Sequence, residues 1–164
     1  CYPPHEVKYE QSIVAPAVNY LFQLYELTGK ILYLEEGKKQ LAVLVLFNGH
    51  QPDFHMYENA VRHWDGYWFG KYKNLGDTFP HYWSSLSGVA FREYEKITGE
   101  RSYGVKAENS LRGVLSMINS DGSASCAYVY PFMVNNVRCQ YADPWANDQD
   151  WALYYYLKEG KNYD

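Results

Sequence analysis

The chain has 164 residues, 47% of them hydrophobic, which suits one domain or a piece of a larger one with a sizeable core. A net charge of -4, with 15 Lys and Arg scattered rather than clustered, argues against nucleic acid as the main partner. The longest apolar run, residues 41–47, is far short of the roughly 20 residues of a membrane span.

Residues 1–10 read as a connecting segment. Ile13, Val14, Ala17, Val18, Leu21 and Leu24 then recur at helical spacing and predict a first helix. Pro16 either delays its start or kinks it, and Gly29 ends it. A second helix is predicted over 33–47. Its final stretch, 41–47, is apolar all round, as expected of an inner helix buried on both faces of a two-layer ring. Asn48-Gly49 breaks it. Residues 50–80 have no clean period. One or two helical turns are expected over 56–62, and short strands around Tyr67, Trp68, Phe69 and Tyr72. A long, aromatic, aperiodic insertion of this kind is more often functional than decorative. The third helix is expected to start near Pro80, with Asp77 and Thr78 as caps and Tyr82, Leu86, Val89, Ala90 and Tyr94 as its apolar stripe. Thr98-Gly99 turns the chain into a fourth helix, 102–119, which Asp121-Gly122-Ser123 ends. A second aperiodic stretch, 124–147, leads to a last helix over 148–157. Asp148 and Asp150 in its first turn suit the helix dipole.

The chain nearly repeats itself. Leu27-Thr28-Gly29-Lys30 is followed by Tyr33, Gly37, Leu41, Leu44 and Val45. At a shift of 70 residues, Ile97-Thr98-Gly99-Glu100 is followed by Tyr103, Ala107, Leu111, Val114 and Leu115. Such an echo marks a repeated supersecondary unit, here helix, Thr-Gly turn, helix. It also decides for helix over strand in 41–47, because the second copy is amphipathic.

Eighteen Tyr, five Trp and seven Phe make 18% of the chain, many beside Asp, Asn, His or Gly. Flat rings with polar handles suit a surface that is apolar and wet at once, as carbohydrate sites are, although a Tyr-rich core accounts for many of them. Cys126 and Cys139 either close a short loop or stay free thiols. Cys1 in place of Met favours a fragment of a longer protein over a mature lipoprotein end.

The two hairpins, with turns reading Tyr25-Glu26-Leu27-Thr28-Gly29 and Tyr94-Glu95-Lys96-Ile97-Thr98-Gly99-Glu100, resemble units of the (α/α) toroid of six-hairpin glycosidases and related polysaccharide lyases. The resemblance covers 11–48 and 80–158. Trp64-Asp65-Gly66-Tyr67-Trp68, and residues 142–151 with Asp143 and Trp145, are similar to segments of sugar-active members. The implied fold is all-α: helical hairpins forming an arc of the toroid, with short strands or irregular loops at one end. The implied organisation is a single domain, 1–164, from the C-terminal part of a larger protein. Its open edge would be covered by the remainder of the parent chain or by a self-association partner.

The resemblance implies a carbohydrate-active enzyme cleaving an oligosaccharide or polysaccharide, by hydrolysis in preference to elimination. A noncatalytic helical module that binds glycan or protein is the alternative from another class. In a hydrolase, Asp65 and Asp77 would be the paired carboxyls, with Asp53 in reserve. In a lyase, His81 or Tyr82 would take the proton beside a uronic carboxylate and Lys71 would hold that carboxylate. Trp64, Tyr67, Trp68, Trp83, Asp143 and Trp145 would bind the sugar through stacking and hydrogen bonds. The bland readings stand beside these. Asp77 caps a helix, Asp65 closes a turn, His81 is a first-turn polar group, and Asp148 and Asp150 serve the last helix. His50, Asp53 and His55 offer ligand types that zinc takes, but at no established spacing, so no metal and no cofactor is assigned. Polymer degradation and Cys1 together lead us to expect a location outside the cytoplasm: secreted, periplasmic or at the cell surface.

Overall fold

Two helical hairpins, each closed by the same turn, form the core of the structure. It is a computed structural model that describes residues 11–45, 77–124, 127–130, 133–134, 137–138 and 149–160. In chain order the elements are α1 (Gln11–Thr28), α2 (Ile31–Val45), β1 (Asp77–His81), α3 (Ser84–Thr98), α4 (Arg101–Gly113), a 3-10 turn (Val114–Met117), β2 (Ala127–Tyr130), β3 (Met133–Val134), β4 (Val137–Arg138) and α5 (Gln149–Glu159). The fold is all-α in character, with short strands at one end.

The repeated sequence folds into a repeated turn. Gly29 (φ 66°) and Gly99 (φ 76°) take the left-handed conformation, and their N–H groups donate to Tyr25 O and Glu95 O, both at 2.7 Å. The threonine hydroxyl before each glycine donates back to the helix, Thr28 to Leu24 O at 2.6 Å and Thr98 to Tyr94 O at 2.8 Å. Each hydroxyl also accepts from the backbone two residues on, Lys30 N–H at 3.3 Å and Glu100 N–H at 3.2 Å. Orphan groups at the end of one helix and the start of the next are thereby satisfied. A Cβ at either glycine would meet nothing within 4 Å. Gly29→Ala and Gly99→Ala therefore test backbone conformation alone. Each is expected to lower stability by about 1 kcal/mol, checked by urea unfolding.

The hairpins pack side by side through α1 and α3. Val14, Ala15, Val18 and Phe22 of α1 share one core with Leu41 and Leu44 of α2, Ala90, Phe91 and Tyr94 of α3 and Ala107 of α4. Positions matched by the sequence echo are buried in both copies: Gly37 and Ala107, Leu41 and Leu111, Leu44 and Val114. The central helix is α3, which touches α1, α4, α5 and β1. Its buried positions include Ser84, Ser85, Ser87 and Gly88. Small residues let neighbouring helices approach closely. A Cβ at Gly88 would lie 2.7 Å from Leu111 Cγ and 3.3 Å from Ala107 O. The Ser85 hydroxyl satisfies itself by donating to Tyr82 O at 2.7 Å.

Several expectations need correction. The third helix begins at Ser84, not near Pro80, because residues 77–81 pair as a strand with β2. Asp77 is therefore a strand residue and not a helix cap. Pro80 lacks an N–H and is tolerated there because the β1–β2 register shifts between Thr78 and His81. Of the predicted third-helix stripe, Tyr82, Ala90 and Tyr94 are buried but Leu86 and Val89 are only half-buried, and Phe91 and Arg92 are buried beside them. In α2, Ala42 is exposed and Val43 and Val45 half-buried, so the described part of the apolar run, 41–45, is not buried on both faces. Pro16 lies inside α1, so the helix does not start late. The fourth helix gives way at Gly113 to the 3-10 turn. Beyond it, Gly122 (φ 87°) and the Asp121 carboxylate build the predicted reversal. Ser123 N–H and Oγ donate to Asp121 Oδ1 at 2.9 and 2.6 Å.

The last helix is tied to the central one by charge. Lys96 Nζ donates to Glu159 at 2.7 Å and to Glu93 at 2.8 Å, and the Glu159 side chain is 7% exposed. Burial pulls the Lys96 pKa down, but the hydrogen bonds it donates to Glu159 and Glu93, with their charges, outweigh it and hold it above the usual lysine value. A raised cation pKa contributes stability below the unfolded value and loses it as pH rises through the folded value. Stability should therefore fall more steeply in the wild type than in Lys96→Met above the ordinary lysine pKa of about 10.4. Denaturant midpoints across that range provide the check. The effect will be modest because the ammonium remains largely solvated.

Candidate functional site

The Thr-Gly turns lie at one end of the hairpins, so the remaining connections lie at the other. α2 ends at Val45 there, β1 leads into α3 there, and α4 runs out through the 3-10 turn there. Both aperiodic stretches singled out in the sequence are consequently attached to the same end. They are also joined to each other. β1 closes the first stretch and β2 opens the second, and the two pair antiparallel with Asp77 opposite Tyr130, Thr78 opposite Val129 and His81 opposite Ala127. β3 and β4 add a second small hairpin, with Met133 opposite Arg138 and Val134 opposite Val137. Backbone pairing thus brings Asp77 and His81 of the first aperiodic stretch against 127–130 of the second.

Beside β1 lies a second core. Tyr82, Val114, Met117 and Ala152 are buried together, with Trp83 and Tyr156 packed against them. The Tyr82 and Trp83 rings meet edge to face at 5.8 Å. Tyr82, a candidate base, is a buried aromatic at the entry to α3. Trp83, a candidate sugar platform, is half-buried against the same cluster. β1, α5 and the 3-10 turn meet around this core, so it serves as a floor under β1.

Asp77 and His81 are placed by the backbone of β1. Trp64, Asp65, Tyr67, Trp68, Lys71, Asp143 and Trp145 lie outside the described residues, as do His50, Asp53, His55, Cys126, Cys139 and Asp148. Among the described residues no group of three metal-ligating side chains gathers, and no helix is long and apolar enough to cross a membrane.

Two polar features escaped the sequence reading. Asn19, beside the buried Val18 on α1, has a buried Oδ1 that accepts no hydrogen bond. A lone Asn in an apolar helical stripe is the signal that marks it. Arg92 is 3% exposed and donates to Glu95 Oε2 at 2.6 Å and Glu108 Oε2 at 3.1 Å, bracing α3 against α4. It is a structural group rather than a site, because both carboxylates it holds belong to the same pair of packed helices.

No family model matches the chain, and no curated protein does. Among solved structures, one described as a polysaccharide lyase is similar to it. The two share 54% sequence identity and a TM-score of 0.75 over 98% of this chain. The chain spans 24% of the length of that lyase.

Proposed function

We propose that this chain is part of a polysaccharide lyase, that its hairpins belong to an (α/α) toroid, and that the end bearing the strands faces the polysaccharide. The observation that carries this reading is the 54% identity to a polysaccharide lyase across nearly the whole of this chain. The paired hairpins and the meeting of both loop sets at one end support it. The same relative favours elimination over hydrolysis.

In elimination, a base takes the proton from the carbon beside a uronic carboxylate. The glycosidic carbon–oxygen bond on the adjacent carbon breaks, the leaving oxygen acquires a proton, and a ring double bond remains. We assign the base to His81, on the strand that joins the two loop sets, and the carboxylate partner to Lys71. Trp64, Tyr67, Trp68, Asp143 and Trp145 bind the chain of sugars, while Tyr82 and Trp83 hold the floor. Acting on a polymer, the protein would work outside the cytoplasm.

The test uses the full reading frame and a panel of uronate-containing polysaccharides. New reducing ends should appear together with the ultraviolet absorbance of an unsaturated uronide. His81→Gln should lower that rate by about 100-fold or more while substrate binding persists. Reducing ends without absorbance would instead mean hydrolysis through Asp65 and Asp77. Binding with neither signal would mean a noncatalytic module.

A further inference from the structure

The ladder of β1 and β2 sorts its residues by face. Residues opposite one another in an antiparallel pair lie on one face, and so do residues two apart along a regular strand. Asp77 therefore shares a face with Tyr130, its partner across the ladder, and with Tyr128, two residues before Tyr130 on β2. Thr78 shares the other face with Val129, and hence with Ala127.

Asp77 and His81 are four residues apart, and on an unbroken strand they would share a face. Here they do not. From Thr78 to His81 β1 advances three residues, while β2 advances only two, from Val129 to Ala127. An extra residue of this kind is what a β-bulge inserts, and a slip by one residue exchanges the faces of everything beyond it. His81, opposite Ala127, thus joins Thr78 and Val129 and is separated from Asp77. The acid and the histidine flank the ribbon rather than converge on one reacting atom.

The two faces also differ in composition. Thr78, Ala127 and Val129 are small or aliphatic, whereas Asp77, Tyr128 and Tyr130 offer two flat rings with hydroxyls and a carboxylate. Those groups suit the apolar face of a sugar and its rim of hydroxyls. We propose that Asp77, Tyr128 and Tyr130, drawn onto one face of the ladder from the two aperiodic stretches, form a sugar-binding subsite apart from the base. It holds a unit of the polysaccharide other than the one that His81 deprotonates. A ribbon of two strands, about 4.8 Å apart, is narrow enough for a polymer crossing its edge to meet both faces. Asp77 is then a binding residue and not one of a pair of catalytic carboxyls. The inference rests on the reading that this end of the molecule faces the polysaccharide.

The experiment uses the full reading frame and electrophoresis through gels containing each member of the panel of uronate-containing polysaccharides, where binding slows migration. His81→Gln is the parent, so that substrate is not consumed. Adding Tyr128→Ala, Tyr130→Ala or Asp77→Asn should weaken binding by about fivefold or more. Val129→Ala, on the other face, should change it by less than about twofold. Melting temperatures separate loss of the subsite from loss of the fold. Should Tyr130→Ala fail to fold, Tyr130→Phe keeps the ring and should weaken binding by about threefold at an unchanged melting temperature. Undiminished affinity in all three variants would overturn the subsite and leave the lyase reading standing, since the parent binds. Equal weakening by Val129→Ala would overturn it too, because the ladder as a whole would then be responsible. So would an Asp77→Asn chain with His81 intact that binds normally but no longer cleaves, since Asp77 would then be catalytic. A parent that no polysaccharide slows would instead remove the lyase reading, and the subsite with it.

Discussion

Replacing Arg92 with alanine should lower stability by about 3–5 kcal/mol, enough to unfold a marginal domain. The guanidinium is 3% exposed and holds two carboxylates, Glu95 at 2.6 Å one turn on and Glu108 at 3.1 Å on the facing helix. Removing it leaves both acids close together, largely withdrawn from water and facing a void. Gly104 sharpens the effect, because the Glu95 carboxylate occupies the space that a side chain there would fill. Arg112, 3.8 Å from Glu108, is mostly exposed and offers weak compensation. The cost arises from breaking the network rather than from lacking it. Combining Arg92→Met with Glu95→Gln and Glu108→Gln should therefore recover most of the loss. Thermal unfolding reads this as a shift of about 2–4 °C per kcal/mol in a protein of this size. A loss below about 1 kcal/mol for Arg92→Ala would show that the network is replaceable by water.

Tyr94→Ala should cost about 3–5 kcal/mol as well, for a different reason. Tyr94 is 1% exposed and stands where both hairpins meet. Its ring packs against Phe22 of α1 at 5.7 Å and edge-on to Tyr103 of α4 at 4.7 Å, with the Lys38 ammonium of α2 5.8 Å from its centre. Truncation opens a cavity bordered by four helices, none of which can close it alone. Its hydroxyl donates to Glu100 at 3.1 Å. Tyr94→Phe keeps the ring and removes that bond, so about 1 kcal/mol is expected. The gap between the two variants separates packing from hydrogen bonding. Equal losses would mean that the hydroxyl, not the ring, joins the hairpins.

The hairpins were legible in the sequence because their signals are local. A glycine that must be left-handed, a threonine that back-bonds four residues and a periodic apolar stripe all act within one or two turns. β1 was not legible, for the opposite reason. Asp77, Thr78 and Pro80 carry the markings of a helix start, and the partner that makes them a strand, 127–130, lies some fifty residues away. Arg92 is not legible as a buried group because a charge within an amphipathic pattern is normally assigned to solvent. One of its partners lies on the same helix, but Glu108 is brought to it only by tertiary packing. The candidate site was legible as two separate aromatic, aperiodic stretches. That they share one end and one ladder follows from the topology of the hairpins, which no spacing within either stretch reveals.

The pairing of β1 with β2 bears on the order of events in folding. The two strands bracket α3 and α4, so in the unfolded chain their union would close a long loop at considerable entropic cost. Once the Thr98-Gly99 turn has brought the two helices together, the strand ends already lie side by side and the remaining gap is short. The ladder should therefore zip last, after the helices, and open first. Amides of β1 and β2 should gain exchange protection later than those of α3 in a refolding pulse, which makes the ladder, and not the floor beneath it, the last of these elements to set.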